Sequence, residues 1–221
     1  MESSLRARYD KAYREIVDSI LKMGSMTDKA IQSSLSCLQN RDLTLAHEVV
    51  EHDEDINSLR FEIEQACLAL IATQQPTASD LRAVIAAMNI VMDLERMGDH
   101  ASGIAKTVIR MGDRPLLKPL IDIPRMGQIS REMLRNSLKA FVERDPISAK
   151  AIAQRDEEMD FLYKAIFNEL VEIMASTPDS VERATYLLWT AHNLERIGDR
   201  VTNIAERVIF MSTGDIQELN V

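Results

Sequence analysis

The sequence predicts an all-α protein of two tandem, similar three-helix bundles, six long helices in all. Three observations predict it: a helix-forming composition, a motif that returns after one hundred residues, and proline-marked turns between apolar-periodic segments. Only 7 of the 221 residues are Gly and 6 are Pro, aromatic residues make up 5%, and Met alone numbers 12. That balance suits long helices and leaves strands scarce, while 46% hydrophobic residues suffice for a core.

The motif is Leu94-Glu95-Arg96-Met97-Gly98-Asp99, which reappears as Leu194-Glu195-Arg196-Ile197-Gly198-Asp199 with Ile104-Ala105 and Ile204-Ala205 at the same offset. Earlier in each copy, Arg41-Asp42, Ala46 and Asp53-Glu54 align with Arg144-Asp145, Ala149 and Asp156-Glu157 at an offset of 103. The second copy is therefore three residues shorter between the two matched stretches, and a turn is the natural place for the loss.

Helical periodicity supports the first helix of each copy: Leu5, Tyr9, Ile16, Ile20, Met23, Ala30 and Leu38 in one, Met126, Met133, Leu134, Leu138 and Phe141 in the other. A second helix is expected over about 43–73 and 146–175. Gln75-Pro76-Thr77 ends it in the first copy, with Thr77 and Asp80 able to cap the third helix. Thr177-Pro178-Asp179 offers a cap and a first-turn proline in the second. Pro115, Pro119 and Pro124 forbid one continuous helix across the middle, so residues 1–112 form the first bundle, 113–124 a linker and 125–221 the second bundle.

A formal net charge of -9 and a pI near 5.0 repel nucleic-acid phosphates and anionic lipid headgroups, which excludes nucleic acid as a partner. Met1 to Arg8 lacks the apolar stretch of a signal peptide. The most apolar runs, Ala66 to Ala72 and Ala83 to Met92, fall short of the ~20 residues of a membrane span, so membrane association is expected only peripherally. Cys37 and Cys67 lie among apolar or small residues without CxxC spacing and read as reduced core residues of a cytoplasmic protein.

The chemistry lies in the acids. Glu95 and Asp99 are four apart, as are Glu195 and Asp199, so each pair occupies one helix face where like charges repel by ~0.2–0.5 kcal/mol. The preceding helix offers Asp53 with Asn57, and Asp156 with Asp160, again four apart. In an antiparallel hairpin facing residues share a constant number sum. Asp53 with Asp99 and Asn57 with Glu95 place the mirror point at residue 76, and the second set places it between 177 and 178. Both mirror points fall in the expected turns.

Four oxygen-bearing side chains thus converge in each hairpin, about 30 Å from its turn. Such a set suits hard cations such as Mg²⁺, Mn²⁺ or Fe³⁺, with zinc possible. The plainer alternative is a solvated acidic face neutralised by Arg60, Arg96, Arg155 and Arg196. Gly98 and Gly198 each cost a helix interior ~1 kcal/mol, which close packing or room for a metal would offset. His192, three before Glu195, is a candidate nitrogen ligand or an ordinary helix-face histidine, while His47, His52 and His100 have no evident partner.

Gln75-Pro76, Asp80-Leu81-Arg82 and the paired motifs closely resemble the PhoU family of bacterial phosphate-signalling regulators, over nearly the whole chain including its length and duplication. The resemblance implies two three-helix bundles packed side by side, with paired E(D)xxxD motifs that bind iron or zinc clusters. It also implies a cytoplasmic negative regulator of the phosphate-starvation response. Such a regulator links a phosphate ABC transporter, through its ATPase subunit, to a sensor histidine kinase, commonly as a homodimer. Carried onto this chain, the motif residues are Glu95, Asp99, Glu195, Asp199, Asp53, Asp156 and Asp160; Asn57 stands where the family pattern expects an acid.

Two other functions compete. A ferritin-like carboxylate-bridged oxidase needs Glu-x-x-His on two helices, and no Glu here is followed by His at that spacing. A metal-free helical adaptor would use the acids only for solubility and docking. No nucleophile–base arrangement or phosphate-cradling loop supports an enzyme.

Overall fold

A computed structural model describes residues 2–219, with side chains from Arg6 onward, so Leu5 lies outside the described side chains. Among the described residues the chain is all helix and turn, with no strand. The first bundle comprises α1 (Glu2–Asn40), α2 (Leu43–Glu51), α3 (Asp53–Gln74) and α4 (Ala78–Met111). The second comprises α5 (Asp122–Glu143), α6 (Pro146–Ala153), α7 (Asp156–Ser176) and α8 (Val181–Thr213), with a 3-10 turn at Pro178–Ser180. Each bundle therefore has three rods, and its middle rod is broken.

The break corrects the expectation of one helix over 43–73 and 146–175. His52 ends α2 and starts α3; Gln154 and Arg155 separate α6 from α7. Restarting the helix there puts Asp53, Glu54 and Asp55, and likewise Asp156, Glu157 and Glu158, into a first turn, where the helix dipole favours negative charge.

The repeated Arg-Asp pair has a local explanation. Arg41 and Arg144 take positive φ of 59° and 53° to end α1 and α5. The following Asp then caps the next helix, Asp42 accepting from the Leu45 amide and Asp145 from those of Ile147 and Ser148.

The expected caps of the third helices are not made. The hydroxyl of Thr77 makes no cap bond, and Asp80 instead pairs with Arg6 while its carbonyl accepts from Tyr9. Thr177 leads into the 3-10 turn, pinned by Ser180 Oγ donating to the Ile173 and Thr177 carbonyls at 3.2 and 2.6 Å. The linker ends earlier than expected: α5 begins at Asp122 and admits Pro124, because a first-turn proline sacrifices no hydrogen bond.

Two seams join the bundles. In one, α1 crosses α5 where each has a glycine: a Cβ on Gly24 would strike Leu138 Cδ1, and a Cβ on Gly127 would strike Leu35 Cδ1. These pairs exchange under the offset of 103, so the contact is one interaction made twice. Beside it Arg131 donates to both carboxylate oxygens of Asp28 at 2.9 and 3.0 Å. In the other seam α4 and α8 run antiparallel, so that Asp93 meets residues 200–203 of α8 while His100 and Gly103 meet Asn193. Asn203 donates to Asp93 at 3.1 Å; Arg200 lies 3.5 Å from Asp93, and at the symmetry-related place His100 Nδ1 lies 3.0 Å from Asn193 Oδ1.

Candidate metal centre

In the second bundle, the LERxGD stretch of α8 faces the start of α7. The buried Asp156 carboxylate lies over Gly198, where a Cβ would stand 2.5 Å from Oδ1, and Thr202 donates to Oδ2 at 3.3 Å. Burial, then the charges of Asp199 and Asp160, pushes the Asp156 carboxyl up to about 7. Burial and Asp199 also raise Glu195. Its Oε2 is buried without a hydrogen bond and stands 3.6 Å from His192 Nδ1. Tyr163 and His192 meet across the same hairpin with ring centroids 6.0 Å apart, at the expected number sum.

The first bundle repeats the arrangement with less negative charge. Asp53 Oδ1 lies 3.3 Å from where a Cβ on Gly98 would be, and Ile56 Cδ1 lies at 3.1 Å from it. Burial raises the Asp53 carboxyl, reinforced by Asp99 and Glu95 and opposed by Lys106. Arg60 approaches Glu95 at 3.8 Å, and Asn57 Oδ1 is buried with no hydrogen-bond partner. In each hairpin the acids lie within electrostatic reach of Asp53 or Asp156.

The arginines divide. Arg96 and Arg196 pair with Asp99 and Asp199 at 3.0 and 2.7 Å, but Arg155 turns away to Glu132. His52 bonds its own turn through the Glu48 carbonyl and His100 has Asn193, so both have partners that the sequence did not reveal; His47 is exposed.

Ser102 and Thr202, three residues past each motif aspartate, were missed in the sequence. Thr202 bonds Asp156, while Ser102 Oγ is buried without a hydrogen-bond partner. Their shared offset of 100 was the available signal.

Among the described residues no three His, Cys, Asp or Glu side chains are arranged as a group that could already hold a metal ion. The donor set nonetheless fits a cation on three grounds. Its ligands are hard oxygens, each hairpin keeps a buried acceptor without a hydrogen bond in Asn57 or Glu195, and the repelling carboxylates lie over glycines.

Each half of the chain matches the family model described as PhoU domain, over residues 20–108 and 123–208. The chain belongs to the PhoU family. Among curated PhoU relatives, the phosphate-specific transport system accessory protein PhoU homolog of Clostridium acetobutylicum is 38% identical over 216 residues, 97% of this chain and 99% of that protein. The Zymomonas mobilis PhoU homolog is 41% identical over 195 residues, covering 88% and 82%. The crystal structure of the PhoU phosphate transport system regulatory protein from Streptococcus pneumoniae superposes with a TM-score of 0.89 at 34% identity, covering 95% of this chain and 99% of that one. PhoU from Pseudomonas aeruginosa gives 0.90 at 33%, covering 94% and 100%. The all-α fold of two PhoU repeats agrees with the sequence expectation.

Proposed function

We propose that this chain is a non-enzymatic regulator of phosphate uptake, acting in the cytoplasm to repress the phosphate-starvation response. Membership of the PhoU family carries the reading, since full-length relatives are named phosphate-specific transport system accessory proteins. Its partners in this reading are the ATPase subunit of a phosphate ABC transporter and a sensor histidine kinase, and the chain acts as a homodimer. Peripheral association with the membrane then comes through those partners; no helix among the described residues is long and apolar enough to cross one.

The acidic faces serve as metal sites in this reading, with Asp156, Asp160, Glu195 and Asp199 holding one site and Asp53, Asn57, Glu95 and Asp99 the other. Iron or zinc clusters suit the carboxylate sets, and Mn²⁺ or Mg²⁺ are alternatives. A bound cation would relieve the repulsion among the acids and supply a positive face. Arg96 and Arg196 hold Asp99 and Asp199 until loading, and Thr202 orients Asp156.

Deleting the gene in its own host tests the regulatory reading: phosphate-starvation genes should be expressed in phosphate-rich medium, and unchanged expression would overturn it. Elemental analysis after gentle purification tests the metal separately. Wild type should carry metal that the double variant Asp156→Asn, Asp160→Asn loses from the second bundle.

A further inference from the structure

The two hairpins differ beside their motif glutamates. In the second, His192 Nδ1 lies 3.6 Å from Glu195 Oε2, an oxygen that is buried without a hydrogen bond. That distance is too long for a hydrogen bond. It matches two donors on one ion, since metal–nitrogen and metal–oxygen bonds of ~2.0–2.2 Å, opened to a tetrahedral or trigonal angle, set their donors ~3.3–3.6 Å apart. His192 and Glu195 are three apart and share one face of α8, the spacing by which helical bundles bring a carboxylate and an imidazole to one metal, here in reverse order. The Tyr163 ring of α7 meets the imidazole with centroids 6.0 Å apart, and 53% of the His192 side chain is exposed, so solvent ions can reach it. Burial, then Asp199 and Asp160, raises the Glu195 carboxyl, which puts both aspartates within electrostatic reach of this pair.

The first bundle lacks the imidazole. Met92 replaces His192 and Arg60 replaces Tyr163. The Arg60 guanidinium lies 3.8 Å from Glu95 and 2.9 Å from Glu64, so a tethered cation stands beside the glutamate there. We propose that His192 is a ligand of the second metal site and gives that site a preference for Zn²⁺ or Fe²⁺ over Mn²⁺ and Mg²⁺ that the first site does not share. Imidazole suits the borderline ions, whereas a set of oxygens alone suits the hard ones. The proposal rests on the metal reading above and goes beyond it, since that reading uses oxygen donors only and gives both bundles the same metals.

The test uses the full chain stripped of metal and titrated with Zn²⁺ or Mn²⁺. In ¹⁵N spectra of the imidazoles, Zn²⁺ should shift one of the four histidines, identified as His192 by its proton contacts with the Tyr163 ring. In calorimetric titrations His192→Gln should lower the Zn²⁺ affinity of the second site about tenfold or more, at least what an outer-shell partner is worth, and its Mn²⁺ affinity by roughly threefold or less. The spectra need no substitution, so they identify the ligand even if His192→Gln perturbs α8. Zn²⁺ taken up with no shift of His192, or equal losses of Zn²⁺ and Mn²⁺ affinity in His192→Gln, overturns the proposal and leaves the acids as metal sites. Tighter Zn²⁺ binding in His192→Gln would make the imidazole a counter-charge to Glu195, as Arg60 is to Glu95, and also overturns it. Uptake of neither ion by the unaltered chain overturns the metal reading and the proposal together.

Discussion

Gly198 has no side chain where Asp156 has its carboxylate: a Cβ there would stand 2.5 Å from Oδ1. Gly198→Ala should gain ~1 kcal/mol of helix propensity yet displace Asp156. Metal affinity of the second site should fall about tenfold, and that of the first should fall less in Gly98→Ala, where the nearest carboxylate oxygen is 3.3 Å away. Isothermal titration of the metal-stripped variants checks both; equal affinities in wild type and Gly198→Ala would reduce the glycine to a packing residue.

The two sites should differ in strength. In the metal reading proposed above, Asn57 offers a neutral amide where the second hairpin offers the Asp160 carboxylate, and Arg60 adds a positive charge 3.8 Å from Glu95, whereas the second hairpin has a histidine 3.6 Å from Glu195. One unit charge a few Å from a cation is worth on the order of kcal/mol at an effective dielectric near 20. Graded chelation should empty the first bundle before the second. Asn57→Asp should narrow the gap, and Asp160→Asn should remove the second site's advantage. Two equal affinities in the wild type would break the argument.

Stability of the metal-free chain should depend on pH through Asp156. Its carboxyl is pushed up to about 7 by burial and by Asp199 and Asp160, from an ordinary value of 3.8. Between those values the folded chain holds a proton that the unfolded chain releases. The stabilisation is therefore complete below the unfolded value and lost as pH rises through about 7. Asp156→Asn removes the dependence, so the variant's melting temperature relative to wild type should climb by a few degrees from pH 5 to 8, on the order of 2 kcal/mol. Thermal melts in chelator at three pH values test it, and a constant difference would refute it.

Cys37 and Cys67 should resist modification. Both are fully buried and free, and burial pushes their thiols up to about 11 and about 12. At pH 8 a thiol-reactive dye should label neither on the timescale of an exposed cysteine, and both on adding denaturant. Prompt labelling of the native chain would mean that the helices around them open readily.

Duplication, hairpins and facing acids were legible because each leaves a periodic trace: the six-residue motif at an offset of 100, and pairs four apart whose number sums locate a turn. The breaks at His52 and Arg155 were not, since neither residue is a helix breaker and both keep right-handed helical backbone angles. The partners of His100 and the direction of Arg155 were hidden for another reason. Asn193 lies across the inter-bundle seam, and the choice between the site acids and Glu132 depends on three-dimensional distance.

The reciprocal seating of Leu35 on Gly127 and Leu138 on Gly24 has a consequence for how this chain can change. Two identical subunits would make the same joint, but there every substitution arrives twice and must suit its own mirror image. With the halves tethered by residues 112–121, each always finds the other at high effective concentration, and a substitution arrives once. One lobe can therefore drift while its sister stays put. Lys29 against Glu132, Asn57 against Asp160 and Arg60 against Tyr163 are the marks of such a division of labour.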